Sequence, residues 1–355
     1  MDAAFALLVL VIVLSIVFDY INGFHDTANA IATVVSTNVL PPRTAVLLAA
    51  LFNFVGAFLG TAVAKTIGGD IADPASVTQT VIAAALLGAI VWNLITWYFG
   101  IPSSSSHALV GGLCGAVIMH RLLDKTHSGS TLDVFWSVGV LKVLKGLVLS
   151  PLAGLVVGFL LMILLMWVVR WASPAGVNKS FRLLQLVSSC SMALSHGTND
   201  AQKAMGIVTM SLASYCAAHK AQTAGWLDYA KDGTANVPLW VVVTCAVAIS
   251  TGTAAGGWRI MKTMGHKIIK LKPIHGFAAE AAGAIVIQVA SHLAAPVSTT
   301  HVISSAIMGV GASKRISAVR WGIAGNILIA WVLTIPISCF VAAVTYLVLR
   351  PLLGA

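Results

Sequence analysis

Charge is what this 355-residue sequence has least of: 9% of its residues are Asp, Glu, Lys or Arg, and it holds a single glutamate, Glu280. With 58% hydrophobic residues, an ordinary water-soluble globule is excluded, because too little polar surface remains to cover one. The expected class is an all-α polytopic membrane protein, since a helix satisfies its own backbone in lipid. No basic residue precedes Arg43, so the charged start of a cleaved leader is missing and the first apolar run is expected to stay as a helix. Five cysteines occur without a CxxC, which excludes a disulfide framework or a cysteine metal site as the organising feature. The net charge of +10 sits in short loops between apolar runs; this is the positive-inside pattern of a membrane protein, and no nucleic-acid partner is implied.

What the chain does have is a duplication. Residues 22–35, NGFHDTANAIATVV, echo residues 195–208, SHGTNDAQKAMGIV, so that Gly23 matches Gly197, Asp26 matches Asp200 and Ala30 matches Ala204 at an offset of 174. Gly60 with Lys65 matches Gly257 with Lys262 at an offset of 197, which places an insertion of 23 residues in the polar stretch 217–237. PSSSSH at 102–107 then matches PVSTTH at 296–301, and Gly115 and Arg121 match Gly309 and Arg315, all at an offset of 194. Signals repeated in one order mark the internal repeats from which many secondary transporters are built.

Taken in order, a first helix passes through Asp19, Asn22, His25, Asp26 and Asn29, with Gly23 as the expected point of unwinding. Residues 44–66 then read as one span. Two re-entrant hairpins are expected, at about 78–120 and 275–312, each with a hydroxyl-rich tip. Arg259, Lys262, Lys267, Lys270 and Lys272 precede the second, and Lys314, Arg315 and Arg320 follow it, which places both its ends in the cytoplasm. Asp70 and Asp73 before the first, with Arg121, Asp124, Lys125 and Asp133 after it, fit the outer side. The repeats are therefore read as inverted: 1–133 the first, 134–182 a connecting helix and cytoplasmic linker, 183–355 the second. Lys142 and Lys145 mark an interfacial stretch before a crossing that begins after Pro151. The final run, 321–349, reads as a single helix, and both termini are expected outside.

Helix starts rich in hydroxyls suit a tetrahedral anion, because the first N–H groups of a helix lack chain partners and carry the positive end of its dipole. Ser103, Ser104, Ser105, Ser106, Ser298, Thr299 and Thr300 are the hydroxyls concerned, and helix capping is their alternative role. Asp26 and Asp200 cannot attract an anion, so their charges serve a cation, a proton or hydrogen bonds to a protonated oxyanion; pairing with His25 or Lys203 is the purely structural alternative. Glu280 has no acidic counterpart at Leu86 and is a candidate proton or cation carrier, with a plain partnership to Lys203 or a hydroxyl equally open. An intramembrane hydrolase is disfavoured, since near-equivalent polar sets do not supply the unlike roles that catalysis needs.

GFHDTANA at 23–30, SHGTNDAQKA at 195–204 and PVSTTH at 296–301 resemble the signatures of the inorganic phosphate transporter (Pit) family in its bacterial low-affinity form. The resemblance covers nearly the whole chain. It implies a symporter of inorganic phosphate in the plasma (inner) membrane, with no prosthetic group, and it leaves a homodimer open. It also implies that Asp26, Asn29, Asp200, Ser104, Ser105, Ser106, Ser298, Thr299 and Thr300 surround phosphate and cations. Asn199, Gln202, His25 and Glu280 are the candidates for handling the coupling ion. Two positions depart from sodium-coupled members: His25 stands where an asparagine precedes the first aspartate, and Lys203 where a later asparagine lies in the second motif. A fixed ammonium repels sodium while attracting phosphate, which makes Lys203 a candidate substrate-binding residue, and an imidazole titrates near neutral pH, so the departures favour protons. Sodium coupling, a co-transported divalent metal–phosphate complex, and sulfate on the same scaffold are the competing readings.

Overall fold

The computed structural model describes residues 3–70, 77–124, 130–218 and 237–353. The fold is helical, and the described residues contain no strand. In the first half α1 spans Ala3–Ser36, α2 Pro42–Gly56, α3 Ala62–Asp70, α4 Gln79–Phe99, α5 Ser105–Leu123 and α6 Val138–Val168. In the second half α7 spans Pro174–Ala218, α8 Leu239–Ala255, α9 Trp258–Lys262, α10 Pro273–His292, α11 Thr299–Lys314 and α12 Trp321–Leu353. Among the described residues, six helices are long and apolar enough to cross a membrane, namely α1, α4, α5, α6, α10 and α12, and the bent pair formed by α8 and the α9 segment makes a seventh if it is one span. The outward faces are apolar, with Leu47, Phe99, Leu160, Leu293 and Phe340 all exposed, while Asp19, Asp26, Asp200, Lys203 and Glu280 are buried. Polar groups inside and apolar groups outside is the arrangement a bilayer selects.

Several elements differ from the sequence reading. α1 does not unwind at Gly23; the helix continues, because the glycine serves close approach instead. A Cβ there would strike the backbone of Ile249 and Thr253 on α8, and one at Gly197 of α7 would strike Asn53 on α2. The breaks fall elsewhere. The run 44–66 divides into α2 and α3 around residues 57–61, and the matching α8 and α9 segments bend by 57°. Lys142, Lys145 and Pro151 all lie within one continuous helix, α6, with no separate interfacial stretch. Residues 174–182, read as linker, form the first turns of the 45-residue α7. The last run is one helix, α12, as expected. Most of the expected insertion at 217–237, together with Asp73 and Lys125, lies outside the described residues.

Local signals explain the hairpins. Thr78 caps α4 by accepting from the Val81 N–H at 3.3 Å, and Gly100 ends it in the left-handed conformation, φ 65°, that glycine adopts without strain. α5 then returns along α4, so that Gly112 faces Ala85; in the second hairpin Gly283 of α10 likewise faces Ile303 of α11. Matched positions pack reciprocally across the halves: Gly115 of α5 abuts Cys339 of α12, and Gly309 of α11 abuts Leu155 of α6. Each hairpin is thereby buttressed by the last helix of the other half. This exchange brings both hairpin tips to the centre of the molecule.

Candidate functional site

The two tips begin their return helices in the same way. Ser104 caps α5, its hydroxyl accepting from the His107 N–H at 3.3 Å, and Ser298 caps α11, accepting from the His301 N–H at 3.2 Å. The N–H groups of Ser105, Ser106, Thr299 and Thr300 are left as first-turn donors without intrahelical acceptors. The rings of His107 and His301 lie 4.8 Å apart, and His301 stacks on Trp331 at 3.9 Å, so the two helix starts meet. Two positive dipole ends therefore converge on one buried point.

Asp26 and Asp200 flank that point from α1 and α7. Thr300 donates to Asp26 Oδ1 at 3.3 Å, Ser105 lies 3.4 Å from its Oδ2, and His25 Nδ1 is 2.6 Å from Oδ1. Asn29 donates to Thr300 at 2.9 Å and to Thr299 at 3.3 Å. On the other side, Lys203 Nζ sits 2.8 Å from Asp200 Oδ2, with His196 Nε2 at 3.3 Å and the Thr299 hydroxyl at 3.3 Å from the same oxygen. Asn199 donates to Asp200 at 2.9 Å and to the Val297 carbonyl at 3.2 Å. Lys203 also reaches Ser105 at 3.4 Å, which closes the ring between the halves. Each aspartate thus has the basic neighbour that a packing role would give it, and each is also held by a hairpin hydroxyl.

The candidate residues from the sequence separate accordingly. Asp26, Asn29, Ser105, Asp200, Lys203, Thr299 and Thr300 converge, with His25 and Asn199 fastened to the aspartates. Ser104 and Ser298 act as helix caps here, and the buried Ser106 hydroxyl has no partner. Gln202 faces away from this cluster: its Oε1 accepts from the N–H groups of Val63 at 2.7 Å and Ala64 at 3.1 Å, which caps α3. Glu280 forms a separate buried group, accepting from Thr33, from Ser188 and from Gln185 at 3.2 Å, and no bond to Lys203 is formed. Sequence reasoning passed over His196, four residues before Asp200, and left Asn22, four residues before Asp26, outside the site; that spacing puts each on the face of its aspartate. Asn22 accepts from Ser105 at 2.6 Å.

The ligand atoms of Asp26, His196 and Asp200 lie within 4.8 Å of one another, which suits a small cation, although the ammonium of Lys203 already stands at Asp200. Everything in the cluster is buried, so a solute reaches it only when the surrounding helices move.

A multi-pass helical bundle whose buried polar centre lies between two hydroxyl-bearing helix starts is the anatomy of a membrane transporter. Comparison with known proteins gives the family. The model of the phosphate transporter family matches residues 22–342. A probable low-affinity inorganic phosphate transporter of Rhizobium meliloti (strain 1021) is 50% identical over 98% of both chains. One of Bacillus subtilis (strain 168) is 47% identical over 99% of both. The chain belongs to the phosphate transporter family, as its motifs imply, and is a transporter and not an enzyme. Inorganic phosphate is the substrate of this family, and sulfate gains no support from these relatives. A solved structure titled "The sodium-dependent phosphate transporter" superposes with a TM-score of 0.80, covering 97% of this chain and 99% of that one at 24% identity, a likeness of fold alone.

Proposed function

We propose that this chain is a secondary symporter that carries inorganic phosphate across the plasma membrane, driven by protons. The observation that carries this reading is the meeting of two hydroxyl-bearing helix starts between Asp26 and the Asp200–Lys203 pair. The helix starts and Lys203 supply donors and positive charge for the anion, and a carboxylate accepts from a protonated phosphate oxygen, which sulfate lacks. Electrostatics then requires coupling. Counted formally, two carboxylates and one ammonium leave the cluster at a charge of −1 before phosphate arrives. Two like unit charges about 6 Å apart repel by about 3 kcal/mol at an effective dielectric of about 20. A co-transported cation offsets that repulsion, and the fixed ammonium beside Asp200 disfavours sodium there.

A second reading rests on the three converging ligand atoms of Asp26, His196 and Asp200: a divalent ion enters with phosphate as cargo. We place the halves in inverted orientation, with both termini outside, on the strength of the loop charges and the reciprocal packing. Uptake of labelled phosphate by proteoliposomes, challenged with a tenfold excess of arsenate or sulfate, tests the substrate. Inhibition by arsenate alone supports phosphate, and equal inhibition by sulfate contradicts it. Loss of uptake in EDTA, restored by magnesium, supports the metal complex.

A further inference from the structure

Asp19 is fully buried on α1, and neither of its carboxylate oxygens has a hydrogen-bond partner. It lies seven residues before Asp26, two helical turns along the same face. Its equivalent in the second half is Ala193, so it is not part of the duplicated anion machinery. The charged and titratable groups on neighbouring helices that act on it electrostatically are Asp200 and Lys203 on α7 and Cys245 on α8. None of them neutralises it. Lys203 is held by Asp200 at 2.8 Å and Ser105 at 3.4 Å, Asp200 repels a second carboxylate, and a buried thiol offers no positive charge.

A carboxylate in this position bears an uncompensated desolvation cost, which the neutral acid avoids. A metal ion would need several oxygen ligands, and the side-chain oxygen one turn away, Asn22 Oδ1, is already bonded to Ser105 at 2.6 Å. The Nδ2 of that same Asn22 has no partner. Asn22 therefore stands between Asp19 and a hydroxyl of the phosphate site, its amide being the side-chain donor that acts on Asp19 without forming a full hydrogen bond.

We infer that Asp19 is a binding site for the coupled proton, linked to the phosphate site through Asn22 and Ser105; this rests on the proton-symport reading above. One proton taken from water on the loading side adds to a carboxylate oxygen as O–H and returns to water on the other side, with no other bond made or broken. On its release the carboxylate accepts from Asn22 Nδ2, and the turn of that amide loosens its hold on Ser105.

The test compares wild type, Asp19→Asn and Asp19→Glu in proteoliposomes, by exchange of labelled phosphate at equal pH, by accumulation under an imposed pH gradient, and by an internal pH dye. We expect Asp19→Asn to keep exchange within threefold of wild type, to lose gradient-driven accumulation by tenfold or more, and to lose phosphate-dependent proton entry. Asp19→Glu, which retains a carboxyl, should restore both. Gel filtration and thermal unfolding check that Asp19→Asn is folded, as replacement of an unpartnered buried carboxyl by a neutral amide of the same shape predicts. Wild-type accumulation and proton entry in Asp19→Asn would overturn the assignment, and so would a folded Asp19→Asn that has lost exchange, since that assigns Asp19 to phosphate binding. Failure of the underlying reading looks different: wild type itself would then show no phosphate exchange, or exchange without response to the pH gradient.

Discussion

Replacing Lys203 with methionine removes the ammonium 2.8 Å from Asp200 Oδ2, where both side chains are at most 2% exposed. Breaking a buried pair from one side costs about 3–5 kcal/mol if the remaining charge stays. The remaining donors to Asp200 are Asn199 and Thr299, both neutral. The expected destabilisation is therefore about 3–5 kcal/mol, because neutral donors do not replace the lost ammonium. Thermal unfolding of purified protein measures this. The double variant Lys203→Met with Asp200→Asn removes both charges and should regain most of the lost stability without regaining transport. A single variant as stable as wild type, or a double variant no better than the single, contradicts this role for the pair.

Asp26→Asn and Asp200→Asn should each reduce phosphate uptake at least 100-fold while the protein stays folded and inserted, as gel filtration and uptake assays show together; near-normal uptake in either contradicts their place in the site. Gln202→Ala should lower thermal stability by about 1–2 kcal/mol through loss of the α3 cap, with the phosphate KM within twofold of wild type; a large KM change would return Gln202 to the site. Single cysteines placed between Arg259 and Lys272 on a cysteine-free background should resist impermeant thiol reagents applied to intact cells, and labelling there would overturn the proposed orientation.

Duplication made the centre legible in the sequence, because Asp26, Asp200 and the two hydroxyl runs are matched pairs. It also hid what is unpaired. Asp19 stands opposite Ala193, and the equivalent positions Asn22 and His196 are different residue types, so comparison of the halves passed over all of them. Gly23 read as a break because a glycine among polar residues looks the same whether it frees the backbone or admits a neighbour; only the position of α8 decides. Gln202 read as a site residue because it lies between Asp200 and Lys203, yet its partners at Val63 and Ala64 are some 140 positions away in sequence. The break between α2 and α3 lies inside an apolar run, and it becomes intelligible only once Gln202 supplies the cap for the new helix. The ends of α4 and the start of α5 are readable, by contrast, since Thr78, Gly100 and Ser104 carry their signals locally.

The central claim is that a site built from Asp26, Asp200, Lys203 and two helix starts carries phosphate with protons. Purified protein in proteoliposomes, given labelled phosphate while an inward pH gradient and an inward sodium gradient are imposed separately, tests it most directly. The account predicts accumulation above equilibrium under the pH gradient alone, abolished by a protonophore and by Asp200→Asn. Accumulation that requires sodium and ignores the pH gradient would contradict it.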